Sequence, residues 1–117
     1  MAEEEVLGRR GEIVIVVVPG DYGKPRPALV VQSDLALPLR SVLLCPLTSA
    51  DNPEASEIRV EIAPTDENGL RKPSSVMVDK LMAVSRDRIK STAGRVRDSE
   101  IMEVIRRLAV ILGIEEN

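Results

Sequence analysis

Residues 12–20 read EIVIVVVPG, a run of β-branched side chains from Ile13 to Val18 closed by Pro19 and Gly20. Side chains branched at Cβ fit a pleated strand better than a helix, and an apolar run ended by Pro-Gly predicts a buried strand closed by a turn. The chain on its C-terminal side repeats that theme. GDYGKPRP at 20–27 sets two glycines and two prolines among charged residues, which predicts a short exposed loop, and ALVVQ at 28–32 then resumes the strand pattern. SVLLCPLTS at 41–49 predicts a third buried strand stopping near Pro46 and opening into SADNPEASE, a long and mobile connection.

Further out the periods change. IRVEI at 58–62 alternates, with Arg59 and Glu61 on one face of a half-exposed strand. The turn-rich PTDENGLRKP leads into SSVMVDKLMAV at 74–84, one strand or a pair. SRDRI is a single helical turn with Ser85 as its cap, and STAGRV at 91–96 a short strand. From Asp98 onward Ile101, Val104, Ile105, Leu108, Ile111 and Leu112 recur at helical spacing, with Asp98 or Ser99 as cap and Gly113 past the end. Strands without helices between them cannot make parallel crossovers. The expected fold is therefore mainly β, a curved antiparallel sheet or small barrel covered by one C-terminal amphipathic helix.

At 117 residues the chain is expected to be a single domain, 1–117, with 1–8 as a flexible tail. Its aliphatic core and its one aromatic residue, Tyr22, exclude the base-stacking platforms common among single-strand binders. Cys45 is the only cysteine, so the chain builds neither an internal disulfide nor a thiolate metal cluster, and a reducing compartment is expected. Histidine is absent, which removes the commonest general acid-base group and metal ligand. MAEEEV at the start is acidic and no apolar run approaches the roughly 18 residues that span a bilayer, so a cytoplasmic protein that does not enter a membrane is expected. A net charge of −3 argues against nucleic-acid binding unless a local basic groove overrides it.

Three motifs carry chemistry-bearing residues. RPALVV at 26–31 places Arg26, with Lys24 just before it, at the mouth of a strand, where a cation meets either solvent or a phosphate. CPLTS at 45–49 places Thr48 and Ser49 just beyond a buried strand, where hydroxyls either satisfy local backbone groups or donate to a phosphate. VDKL at 78–81 interrupts an apolar strand with Asp79 and Lys80: a surface ion pair, an acid ordering an arginine, or a cation for a phosphate. Arg86, Arg88, Lys90, Arg95 and Arg97 add a basic stretch of the sort that is usually a solvated face.

The order and spacing of these pieces are more specific than any one of them. With RGEIVIV, GDYGKPRPALVVQSD, VLLCPLTS and SSVMVDKLMAVSRDRI in sequence and a last helix ending in LGI, the chain resembles the MazF/PemK toxin family from about residue 9 to 114. The resemblance implies a small SH3-like antiparallel β-barrel with a C-terminal helix, of the CcdB/PemK type. It implies a homodimer that cuts single-stranded RNA at short motifs with no metal or other cofactor, and that is held in check by a cognate antitoxin laying an acidic segment across the RNA groove. By motif, Arg26 and Thr48 are similar to the family's catalytic pair, and Asp79 lies where some relatives carry an acidic residue implicated in the reaction; Lys24, Ser49 and Lys80 are expected to bind RNA. Such chemistry needs no histidine, because the ribose 2′-hydroxyl is a built-in nucleophile and a guanidinium can stabilise the phosphorane. The chain departs from the pattern in a short 20–27 loop and in DKLMAVS where many relatives have DQIRTID, putting Lys80 and Met82 in place of a glutamine and an arginine. The competing readings are a CcdB-like toxin that binds DNA gyrase and a non-catalytic family member acting as a binding module.

Overall fold

The structure, a computed structural model, describes residues 6–50, 53–55 and 57–114. Among these, seven strands, β1 (Glu12–Val17), β2 (Pro25–Val30), β3 (Ser41–Thr48), β4 (Val60–Ile62), β5 (Ser74–Val76), β6 (Met82–Ser85) and β7 (Ile89–Arg95), precede one helix, α1 (Asp98–Ile111). They form one antiparallel sheet in the order β4-β5-β3-β2-β1-β7, with β6 also pairing β3. Register shifts between Ile13 and Val14 and between Ile15 and Val16, where β1 meets β7, are the irregularities by which such a sheet curves. The expected barrel is not closed by a strand ladder, because the path ends at β4 and β7 and β4 is only three residues long. The gap is bridged instead by the 63–72 loop, whose Glu67 carbonyl accepts from the Arg95 amide at 2.7 Å.

The sheet buries both faces, which accounts for the unbroken apolar run. Ile13, Leu29 and Cys45 lie on one face, beneath Ile101, Val104 and Leu108 of α1. Val14, Val16, Ala28, Val30 and Leu44 lie on the other, against Val42, Val84 and Ile89. Each fully buried aliphatic side chain contributes about 1.5–3 kcal/mol relative to exposure.

Several boundaries differ from expectation, each for a local reason. The 20–27 loop ends at Lys24, because β2 already begins at Pro25. Gly11 N donates to Val30 O and Val31 N to Leu43 O, so alternate residues of β2 face β1 and β3 in turn, and Pro25 and Pro27 present their missing N–H to the β3 side. The β3 pairing starts only at Ala28, so no ladder bond is lost there. Pro46 does not stop its strand either: β3 runs on to Thr48, and Pro46 sits where its outer edge passes from β6 to β5, its carbonyl accepting from Met77 N at 2.8 Å. Thr48 is thus the last residue of a strand and not beyond one.

IRVEI keeps only its last three residues as strand, since the amides of Ile58 and Arg59 both donate to Ala55 O and curl the chain into a turn. SSVMVDKLMAV is a pair of strands joined by the 3-10 turn Val78–Lys80, so VDKL lies between strands and not within one. The cap of α1 is Arg97, not Asp98 or Ser99: its backbone is extended, and Glu100 Oε1 reaches back to its amide at 2.9 Å. At the other end Gly113, with φ of 76°, and Ile114 donate to Val110 O and Ala109 O, the bonds of a Schellman motif. The expected turn capped by Ser85 is present at Arg86–Arg88, and the expected strand at 91–96 is β7, begun two residues earlier. Expectations for the tail at 1–8 fall mostly outside the described residues, as does the mobility of the 49–57 connection at 51, 52 and 56; Pro53–Ala55 between them is a 3-10 turn.

Candidate active site

Arg26 stands opposite Val16 at the open end of β2, between two prolines that restrict its backbone. Its side chain is 51% exposed, and Nε donates to Asp21 Oδ2 at 2.9 Å. Asp21 is returned to this position by a tight loop in which Gly20, Tyr22 and Gly23 all have positive φ and Lys24 N donates to Asp21 O at 3.0 Å. The Arg26 guanidinium holds the Asp21 carboxyl below the usual carboxylate range, and Asp21 in turn raises the arginine's own value. Nη1 and Nη2 of Arg26 have no partner among the described residues, so the guanidinium keeps its bidentate edge for a ligand.

Thr48 closes β3 opposite Ser75, and its Oγ1 accepts from Ala50 N at 3.1 Å. That bond is the local turn anticipated as the plain structural reading, but it uses only the oxygen's acceptor side. The hydroxyl proton is left to donate. Arg26, Pro27, Leu47 and Thr48 line two depressions at once and form the rim between them. One depression, of about 340 Å³, continues past Ile15 and also takes in Ser49, Gly69, Arg71, Lys72 and Ser74. The other, of about 390 Å³, includes Val16, Asp21, Met77, Lys80 and Met82.

Of the candidate residues, Arg26, Thr48 and Ser49 therefore share one depression, and Arg26, Thr48 and Lys80 the other. Lys24 is exposed and lines neither, and nor does Asp79. Asp79 faces Arg59, accepting from Nε at 3.0 Å and Nη2 at 3.2 Å, with the Arg59 side chain only 9% exposed. The arginine expected on the outward face of a strand is thus tucked against the turn that carries Lys80. The hydrogen bonds from Arg59 hold Asp79 below the usual carboxylate range. Cys45 lies beneath this turn, its thiol pushed up to about 12 by burial and then by the charge of Asp79.

In the basic stretch, Arg86 is committed to the backbone, its guanidinium donating to the carbonyls of Leu7 and Leu39, while Arg88 and Lys90 are exposed. Asp21, Arg71 and Lys72 are the residues of the site that sequence reasoning passed over. Asp21 had a usable signal, an acid five residues before an arginine across a Gly-rich turn. Arg71 and Lys72 had none, because only the folded path of the 63–72 loop brings them beside Arg26.

Residues 9–112 match the family described as PemK-like, MazF-like toxin of type II toxin-antitoxin system. The chain belongs to this family. A probable endoribonuclease MazF of Mycolicibacterium smegmatis is 38% identical over 107 residues, 91% of this chain and 97% of that protein. Among solved structures, the Mycobacterium tuberculosis toxin MazF-mt6 matches with a TM-score of 0.74 at 21% identity, over 90% of this chain and 99% of that one. An endoribonuclease in complex with its cognate antitoxin, from a mycobacterial species, matches with a TM-score of 0.76 at 20% identity, over 93% and 98%. MazF of Deinococcus radiodurans matches with a TM-score of 0.73 at 22% identity, over 94% and 99%. The open antiparallel sheet with its C-terminal helix is thus the MazF/PemK fold. No helix among the described residues of this MazF-like chain is long and apolar enough to cross a membrane.

Proposed function

We propose that this MazF-like endoribonuclease toxin cuts single-stranded RNA at short motifs, by attack of a ribose 2′-hydroxyl on the adjacent phosphate and without a metal or cofactor. The observation that carries the reading is the convergence of Arg26 and Thr48 on a rim with a depression on either side. A strand laid over that rim sets its scissile phosphate against the free guanidinium edge and the Thr48 hydroxyl, with a neighbouring nucleotide on each flank. Charge builds on the non-bridging oxygens as the 2′-oxygen bonds to phosphorus, and a preorganised donor there is worth roughly 10²–10³ in rate. The bond to the 5′-oxygen then breaks, that oxygen taking a proton from solvent, and leaves a 2′,3′-cyclic phosphate and a 5′-hydroxyl.

The 2′-hydroxyl proton goes to Asp21, the carboxylate that shares a depression with both residues. Held low by Arg26, it is ionised at neutral pH but a weak base, so proton transfer must accompany bond formation to phosphorus. Asp79 supports the site through Arg59, and Ser49 and Lys80 line the path of the strand, with Lys24 at its margin. Charge stabilisation falls to Arg26, which lines both depressions. The toxin acts in the cytoplasm as a homodimer. Its antitoxin covers the same cations with an acidic segment.

The test is purified protein with mixed single-stranded RNA in excess chelator, comparing wild type with Arg26→Ala and Thr48→Ala. Wild type is expected to cleave and Arg26→Ala to lose about 10²–10³ in kcat. Equal cleavage by all three would overturn the site. Gyrase inhibition with no RNA cleavage by any of them would overturn the activity.

A further inference from the structure

We infer that Arg71 and Lys72 form a second phosphate site, which holds a backbone phosphate of the RNA neighbouring the one that is cut. The inference rests on the RNA-cleaving reading above and adds to it a binding residue pair and its ligand. Both side chains line the depression that also contains Arg26 and Thr48, and neither has a carboxylate partner among the described residues. Two adjacent uncompensated cations at the wall of a concave site are the chemistry that takes an anionic oxygen.

The loop that carries them is built to hold them still. Asn68 is fully buried; its Oδ1 accepts from Thr65 N and Leu70 N, both at 3.0 Å, and its Nδ2 donates to Ala63 O at 2.9 Å. Its own amide donates to Thr65 Oγ1 at 3.1 Å, so every polar group of this buried side chain and its N–H is used in folding the loop. Gly69, at φ of +71°, lies so close to β7 that a Cβ there would collide with the Ala93 carbonyl, and a Cβ on Gly94 would collide with the Glu67 carbonyl. Pro73 then narrows the backbone freedom of Lys72. An exposed connection is normally free to move and loses entropy when it meets a ligand; this one has met that cost in folding. The backbone that carries Arg71 and Lys72 is therefore held in place beside the rim.

On the opposite side of the rim Lys80 is, among the described residues, the one cation besides Arg26 that lines the other depression. The strand thus meets cations on both flanks of the scissile position, two on the 63–72 side and one on the 78–80 side, which fixes where it lies without reading its bases.

The experiment compares wild type, Arg71→Ala, Lys72→Ala and the double variant on an RNA oligonucleotide containing one cleavage site, and on copies with a single neutral methylphosphonate at each phosphate in turn. Both residues are exposed, so the variants are expected to fold and to keep kcat within about threefold, with the loss in KM. Each single-strand phosphate contact contributes about 0.7 to the slope of log affinity on log salt. The double variant, which gives up one phosphate contact, should therefore lose about 0.7 of slope, so that its defect is about 2.6-fold larger at 50 mM than at 200 mM salt. One methylphosphonate position next to the cleavage site should weaken wild type while leaving the double variant unchanged. If wild type cleaves and Arg26→Ala does not, yet the double variant keeps the wild-type slope and responds to every methylphosphonate as wild type does, the second phosphate site is overturned and the catalytic reading stands. If wild type does not cleave RNA, both are overturned.

Discussion

Replacing Asp79 by asparagine separates its two possible roles. The carboxylate takes two hydrogen bonds from Arg59, at 3.0 and 3.2 Å, and the arginine side chain is only 9% exposed. The amide of an asparagine would keep one acceptor oxygen and lose both the second acceptor and the charge, leaving a largely buried guanidinium half satisfied. A hydrogen bond to a charged group contributes about 1.5–3 kcal/mol, and because the Asp79 side chain is 32% exposed the lower end applies, about 1.5 kcal/mol. At this chain length that is a fall in Tm of roughly 5–8 °C. Arg59→Met should cost a similar amount, and the double variant less than the sum, since the pair is removed together. The pH dependence follows from sign. Arg59 holds the folded Asp79 below its unfolded value of about 4, so its contribution is fully present above that pH and is lost as pH falls through the folded value. The gap between wild type and Asp79→Asn should thus be constant from neutral pH down to about 5 and close in acid. The assay is equilibrium denaturant unfolding at several pH values, beside RNA cleavage at a temperature where every variant is folded. If Asp79 takes the substrate proton, Asp79→Asn loses roughly 10²–10⁴ in kcat while Arg59→Met does not. That split would refute the positioning role; similar, small losses in kcat for both variants are expected.

Two further outcomes follow from packing. Gly94→Ala puts a methyl into the Glu67 carbonyl, a backbone atom that cannot swing aside, so it should shift the 63–72 loop, destabilise the fold by about 1–3 kcal/mol in denaturant unfolding and raise KM through Arg71 and Lys72. An unchanged unfolding midpoint would refute the interlock between that loop and β7. Cys45 is fully buried with its thiol pushed up to about 12, so a thiol reagent at a pH of about 8 should modify it only at the rate of global unfolding. Rapid labelling of the folded protein would contradict the packing beneath the Val78–Lys80 turn.

The parts of the fold legible in the sequence are those whose cause is local. The β-branched run at 13–18 and the helical spacing of Ile101, Val104 and Leu108 depend on neighbours within a turn or two, and both lie where the pattern predicts. Pro46 misleads because the cost of its missing N–H depends on which edge that N–H faces, and here it falls in the gap between two partner strands. Alternation places Arg59 in solvent beside Glu61, whereas the Ala55 carbonyl pulls it out of the strand and Asp79, twenty residues on, takes up its charge. Arg26 and Thr48 stand out only through the joint spacing of their motifs within the family-like pattern, since either motif alone reads as an ordinary strand end. Arg71 and Lys72 do not stand out at all, since their placement depends on glycines 69 and 94 interlocking two segments far apart in sequence.

A net charge of −3 looks unsuited to the RNA groove proposed above, and the distribution of ion pairs eases the difficulty. Asp21, Asp79 and Glu103 each lie against an arginine, so part of the acidity is neutralised in place. Around the rim, Arg26 is paired with Asp21 through Nε and keeps its outer edge, and Arg71, Lys72 and Lys80 are the further charges a strand would meet. At physiological salt only charges within about 8 Å act strongly on one another, so a strand in the groove feels those cations and little of the acidic remainder. At longer range the excess acid gives RNA no attraction. On the proposed reading, duplexes and strands that cannot enter the groove should therefore gain little from this surface. If the antitoxin acts through an acidic segment as proposed, that segment would need only to seat on these cations to displace the phosphates, without covering the rest of the protein.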